Sequence, residues 1–175
     1  MPDGSRDRPP RIILATDFSS EAEAAEAEAV RLSRALNAEL ILVHVAVESP
    51  PYGDTAEGGR QLERVYADEA RWAESQLAER ARRLASQGVP TGWRRRVGVP
   101  HEQIVKAAQD EHAAYIVIGS HGRGRAGRFL LGSVAERVAR TAACPVVIVR
   151  PGDTAASRRP TPRAAPRHRA QGVRR

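Results

Sequence analysis

The residues with the most evident chemistry lie between Tyr115 and Val134. Tyr115-Ile116-Val117-Ile118 runs into Gly119-Ser120-His121-Gly122-Arg123-Gly124-Arg125-Ala126-Gly127-Arg128, followed by Phe129-Leu130-Leu131-Gly132-Ser133-Val134. The order is a short apolar run, a loop with four glycines and three arginines, and a helix start at Gly132-Ser133. Glycine admits a ligand where a Cβ would clash. A helix N-terminus directs unbonded amides at an anion. The chemistry on offer is therefore anion binding, with a nucleotide's phosphates as the natural ligand.

Three nucleotide motifs compete for this stretch. A phosphate-binding loop of the Gly-Lys-Ser/Thr type is excluded, because the one lysine, Lys106, sits in Val105-Lys106-Ala107. Gly122-x-Gly124-x-x-Gly127 matches the dinucleotide fingerprint. That fingerprint needs an acidic residue about 20 positions on, and none lies between Glu136 and Asp153. It also follows the fourth apolar run rather than the first. The third spacing, Gly119-x2-Gly122-x9-Gly132-Ser133, meets neither objection.

The other polar candidates have plainer readings. Ser133 and Glu136 form a capping box, which a helix start explains with or without a ligand. Asp17 is either a ligand-facing group or a loop carboxylate near a helix start. His121 has no second ligand at metal spacing and reads as a solvent-facing loop histidine. His44 reads as a satisfied core histidine, and Arg94-Arg95-Arg96 as a solvated edge. Cys144, the single cysteine, excludes an intramolecular disulfide and a multi-cysteine metal site; it reads as an inert buried thiol.

Positioning these groups requires a scaffold, and hydrophobic periodicity supplies one. Arg11–Thr16 is a candidate buried strand closed by Asp17. Ser20-Glu21-Ala22-Glu23 reads as a capping box opening a helix, with Ala22, Ala25, Ala29, Leu32 and Leu36 on one face until Asn37-Ala38. Glu39–Val47 is a second strand, apolar enough to be buried on both faces. A Pro- and Gly-rich loop is expected from Glu48 to Gly59. A long helix follows, with Leu62, Tyr66, Ala70, Ala73, Leu77, Ala81 and Leu84 aligned, stopping near Gly88. Thr91–Gly98 reads as a polar edge strand, Pro100–Asp110 as a helix and Ala114–Ile118 as the fourth strand. Ser133–Thr141 reads as a helix with Val134, Val138 and Thr141 inward, and Pro145–Arg150 as the last strand. Strict alternation of strand and helix predicts an α/β fold: an open five-stranded parallel sheet with helices on both faces. Such sheets bind ligands beyond the carboxyl ends of their strands, at a switch point. Asp17 and Gly119 share one crevice if the first and fourth strands are neighbours.

Composition bounds the rest. The 175 residues are 41 % hydrophobic and only 4 % aromatic, so one core of Ala, Val, Leu and Ile is expected. No apolar run approaches the roughly 20 residues of a membrane span, and Met1–Asp7 shows no apolar signal segment; the expectation is a cytoplasmic protein. Of the formal charge of +7, the segment Pro151–Arg175 holds +6, from seven arginines and one aspartate, which leaves the body near neutral. Arginine outnumbers lysine 27 to 1, a compositional bias rather than a sign of phosphate contacts. Residues 1–10 are expected to be flexible, 11–150 to form the domain, and 151–175 to be a disordered basic tail.

Ala15-Thr16-Asp17-Phe18-Ser19, Leu42-Val43-His44-Val45, the glycine spacing, Gly132-Ser133-Val134-Ala135-Glu136 and Cys144–Val149 occur in an order that resembles the universal stress proteins, specifically their ATP-binding branch. The resemblance covers residues 10–150 and implies the strand order 3-2-1-4-5. It implies ATP, with or without Mg2+, as the ligand, and a homodimer. It places Asp17 at the ribose hydroxyls, Ala15 and Thr16 beside the nucleoside, and Val45 at the adenine through its backbone. Gly119, Ser120, His121, Gly122, Arg123, Gly124 and Arg125 fall along the ribose and phosphates, and Gly132, Ser133 and Val134 at the β- and γ-phosphates. After Val134, where that branch often carries Ser or Thr, stands Ala135, which removes one phosphate hydroxyl. The implied role is a nucleotide-dependent regulatory module in stress response. A slow ATPase is one alternative; nucleic-acid association through the basic tail is the less favoured other.

Overall fold

A computed structural model describes residues 8–47, 56–121 and 131–150. The elements are β1 (Arg11–Ala15), α1 (Ser20–Leu36), β2 (Glu39–Ala46), α2 (Ala56–Ser86), β3 (Thr91–Val97), α3 (Pro100–Asp110), β4 (Tyr115–Gly119), α4 (Ser133–Thr141) and β5 (Val146–Val149). The five strands form one parallel sheet in the order β3-β2-β1-β4-β5. β1 is central, with Ala15 opposite Val43 of β2 and Ile118 of β4. The order reverses between β1 and β4, so the residues following both strands emerge side by side.

Alternating strand residues divide the core between two faces. Ile12, Leu14, Leu40, Leu42 and Val117 pack with Ala25 and Ala29 of α1 and with Leu77, Ala81 and Leu84 of α2. Ile13, Ala15, Ile41, Val43, Ile116 and Ile118 pack with Ile104, Ala107 and Ala108 of α3 and with Ala135 and Val138 of α4. Both faces of the central strands are thus dry, which is why these strands read as unbroken apolar runs. Among the described residues no helix is long and apolar enough to cross a membrane.

Several local expectations are corrected. The cap of α1 is Ser19, whose Oγ accepts from the Ala22 amide at 3.3 Å. Asp17 draws the chain round so that the first of the two serines, not Ser20, takes the cap. Asn37 ends this helix in the left-handed conformation at φ +50°. α2 begins at Ala56, so the loop after β2 is shorter than expected and the Gly58-Gly59 pair is helical. The side chain of Leu62 lies outside the described residues; Ala73, Leu77, Ala81 and Leu84 are buried as expected, while Tyr66 and Ala70 are half-buried. In α4 Val138 is buried and Val134 packs half-buried against the same core as expected, Ala135 joins them, and Thr141 is exposed, its hydroxyl donating to the Arg137 carbonyl. Ser133 is the first helical residue and Gly132 the cap, so no capping box forms with Glu136.

Two of the three arginines of β3 are paired rather than merely solvated. Arg96 meets Asp110, and Arg94 joins Arg11 on the buried carboxylate of Glu111. Two guanidiniums satisfy a carboxylate that burial would otherwise penalise. Cys144 is half-buried, and that burial pushes its thiol up from the ordinary range. The cap assignment is directly testable: Ser19→Ala lowers unfolding free energy by about 1 kcal/mol in urea titrations, whereas Ser20→Ala, at an exposed first-turn position, leaves it within about 0.5 kcal/mol.

Candidate functional site

The carboxyl ends of β1, β2 and β4 and the start of α4 surround a cavity of about 780 Å³. That volume falls within the usual range for small-molecule sites, roughly 300–1,000 Å³. Of the residues expected at a ligand, Ala15, Thr16, Asp17, Val45, Gly119, Ser120, His121, Gly132, Ser133 and Val134 all line it. Gly122, Arg123, Gly124 and Arg125 lie outside the described residues, as do Gly127 and Arg128.

One wall is built by a closed chain reversal. The Gly132 amide donates to the Ser120 carbonyl at 2.8 Å, pinning together the two ends of the glycine-rich segment. A Cβ on Gly132 would lie 3.0 Å from that carbonyl oxygen and 3.4 Å from the His121 Cα. The glycine is therefore required by close approach and not by its backbone angle, which is an ordinary φ of −63°. Pinned this way, α4 points its first turn at the cavity. No side chain among the described residues caps it, and the amides of Ser133, Val134 and Ala135 have no intrahelical acceptor. Those groups, with the positive end of the helix dipole, make a wall suited to an anion. Ala135 is buried against α3 at 2 % exposure, so its methyl serves the core while its amide sits in the first turn.

Ser120 plays a different part from its glycine neighbours. It is 1 % exposed, its amide donates to the Val149 carbonyl at 2.7 Å, and its hydroxyl lies 3.0 Å from His121 Nδ1. This serine locks β4 to β5 and orients the histidine. His121 is half-buried rather than solvent-facing; its Nε2 is buried and has no partner among the described residues. A buried nitrogen in that condition calls for a water or a ligand atom.

The opposite wall is the turn after β1. Thr16 is buried, its amide bonded to the Val43 carbonyl at 2.9 Å, and its Oγ1 accepts from the Phe18 amide at 3.1 Å. Asp17 Oδ1 accepts from the Ser19 amide at 3.1 Å and from the Ser19 hydroxyl at 2.5 Å. These side-chain turns fix the carboxylate at the cavity edge. Phe18 adopts φ +64°, a left-handed conformation costing a bulky residue of order 1–3 kcal/mol. Its ring packs on His44 at 4.6 Å between centroids and meets Trp72 edge-on at 5.2 Å. The Arg80 guanidinium lies 5.3 Å from the same ring centre. Aromatic pairs contribute about 0.5–1.5 kcal/mol each and a cation over a ring a further 0.5–1, enough to hold the turn.

Sequence reasoning missed part of the lining: His44, Val47, Pro100, Ile104, Leu131 and Glu136 also face the cavity. His44 is satisfied, its Nδ1 donating to the Thr16 carbonyl at 2.9 Å, but it lies at the site and not in the closed core. Its position at the end of a strand flanking the switch point was the available signal. Pro100 and Ile104 follow the same logic, since α3 starts just past the end of β3. Glu136 is paired with Arg140 one turn on, at 2.9 Å.

Known proteins show the same framework. The family model described as the universal stress protein family matches residues 10–150. A universal stress protein of Methanocaldococcus jannaschii is 34 % identical over 142 residues, spanning 80 % of this chain and 81 % of the relative. Universal stress protein UspA of Lactobacillus plantarum superposes with a TM-score of 0.71 at 27 % identity, over 82 % of this chain and 99 % of that one. A universal stress protein solved in complex with cAMP aligns at TM-score 0.60 and 26 % identity, over 80 % of this chain and 96 % of that one. The Archaeoglobus fulgidus protein solved in complex with dAMP aligns at 0.54 and 25 %, over 80 % and 96 %. The chain belongs to the universal stress protein family.

Proposed function

We propose that this protein is a cytoplasmic, ATP-binding regulatory module whose ligand occupies the cavity between the turn after β1 and the start of α4. The observation that carries the reading is the uncapped first turn of α4, facing the same cavity as Asp17. An anion site and a hydrogen-bond-accepting carboxylate on the walls of one cavity match a phosphorylated nucleoside. The close approach at Gly132 and the orphaned His121 Nε2 fit the same ligand. Two solved relatives hold adenine nucleotides, one cAMP and one dAMP.

In this reading Asp17 accepts hydrogen bonds from the ribose hydroxyls. Ala15 and Thr16 flank the nucleoside, and the Val45 backbone meets the adenine edge. Gly119, Ser120 and His121 lead the chain to the phosphates, with Gly122, Arg123, Gly124 and Arg125 continuing along them. Ser133 and Val134 offer amides to the terminal phosphates, with the Ser133 hydroxyl beside them, while Gly132, whose amide is already donated to the Ser120 carbonyl, gives the backbone room to close there. Among the described residues no group of three or more His, Cys, Asp or Glu could hold a metal. Any Mg2+ would therefore arrive with the phosphates. The module acts by differential binding, its ligand favouring one state over another.

The sheet edges support a homodimer. β3 ends one edge with three consecutive arginines, a pattern that discourages pairing. β5 ends the other with Val146-Val147-Ile148-Val149, which carries no charge, and its first three residues are only half-buried. The Pro145 and Val149 carbonyls accept from β4, so the amides of Val146 and Ile148 face outward, ready for a second copy.

Two measurements follow. Calorimetry with ATP, ADP and AMP should register binding. Asp17→Ala should weaken all three by about tenfold or more, the loss of a charge-assisted hydrogen bond. Gly132→Val should abolish the dependence on phosphate number by pushing α4 away from Ser120; unchanged affinities for both variants sink the assignment. In sedimentation, the native chain should be a dimer at micromolar concentration. Val146→Pro, tolerated at a strand's first residue, should shift it toward monomer.

A further inference from the structure

Phe18 and Trp72 do not line the cavity, yet they continue a line of rings that begins inside it. His44 borders the cavity and donates to the Thr16 carbonyl; Phe18 stacks on His44; Trp72 of α2 abuts Phe18. Arg80, one helical stretch further along α2, covers the Phe18 ring and is itself held by Glu26 of α1, which also takes Arg83. The segment that presents Asp17 is thereby tied to α2 through a residue in a left-handed conformation, which ordinary backbone preference would release.

α2 is built unequally. At 31 residues it is about 46 Å long, but among its described side chains the buried positions begin at Ala73. It runs back antiparallel to the strands, so its amino-terminal part lies at the cavity end of the sheet. Between Glu63 and Arg71 only Tyr66 and Ala70 are even half-buried. Trp72, at 46 % exposure, stands where this overhang joins the packed half.

We propose that His44 and Phe18 are positioning residues for the Thr16–Asp17 turn, and that Trp72 couples the seating of α2 to occupancy of the cavity. The inference rests on the nucleotide reading above. A ligand that needs the turn in its observed shape favours the seated column. By linkage, a seated column favours the ligand by the same factor. The overhang of α2 then carries the ligand state to the surface, although none of its described side chains lines the cavity.

The chain has two tryptophans, so Trp93→Phe leaves Trp72 as the sole reporter without altering the cavity lining. In this variant, titration with ADP should change Trp72 emission and saturate at the affinity given by calorimetry. Trp72→Ala and Phe18→Leu should each weaken ADP by about fivefold, and Trp72→Phe should restore native affinity. Thermal unfolding run in parallel separates weakened binding from a misfolded variant, and the emission arm uses no disruptive change. Calorimetric binding with a silent Trp72, or native affinity in both weakening variants, overturns the coupling while leaving nucleotide binding intact. Absence of heat with every nucleotide in the native chain overturns the nucleotide reading, and the coupling with it.

Discussion

The structure of the site depends on one close approach, the Gly132 amide on the Ser120 carbonyl. That bond brings the start of α4 against the end of β4, with room for a hydrogen atom and little more at the Gly132 α-carbon. Its consequence is directional. Among the described residues the first turn of α4 has no side-chain cap, so its amides are offered to the cavity they face. A helix start without a side-chain cap is electrostatically suited to an anion. The sheet supports it from behind, through the Ser120 amide on Val149 and the burial of Ala135 and Val138 against α3.

The wall on the β1 side obeys a different constraint. The turn after β1 is stitched by its own side chains, Thr16 to Phe18 and Asp17 to Ser19, and then forced through a left-handed residue. Such a turn survives because several contacts over-determine it: the Ser19 cap on α1, the His44 bond to Thr16, and the ring column on α2. The two walls of the cavity thus come from opposite design choices. One is rigid because a glycine lets the backbone close; the other is held by aromatic packing against a bulky residue's preference.

What was legible in the amino-acid sequence follows from which forces leave a local signature. Strands buried on both faces write unbroken apolar runs, so β1, β2 and β4 were visible, and Pro100 and Asn37 marked helix ends through backbone restriction. With alternation established, strand order and the meeting of Asp17 with Gly119 followed from the family resemblance and the switch-point geometry. Gly132 was legible because exclusion of a Cβ at that close approach admits only one residue type. Details decided by tertiary contact were not. Two adjacent serines offer equal caps until Asp17 selects Ser19. Thr141 and Ala135 are separable only once α4 meets α3. His44 resembles a core histidine because its strand is apolar on both sides of it. The left-handed Phe18 has no sequence marker, so the column to Trp72 could be found only in three dimensions.

The central claim is that the bare amides of α4 hold phosphate while the Asp17 turn holds the nucleoside. Amide chemical shifts of the isotope-labelled protein, recorded with adenosine and then with ADP, test it most directly. The account predicts that adenosine moves the Thr16 and Asp17 amides alone, and that ADP in addition moves those of Ser133, Val134 and Ala135. Equal responses of the α4 amides to adenosine and ADP, or none to either, would contradict it.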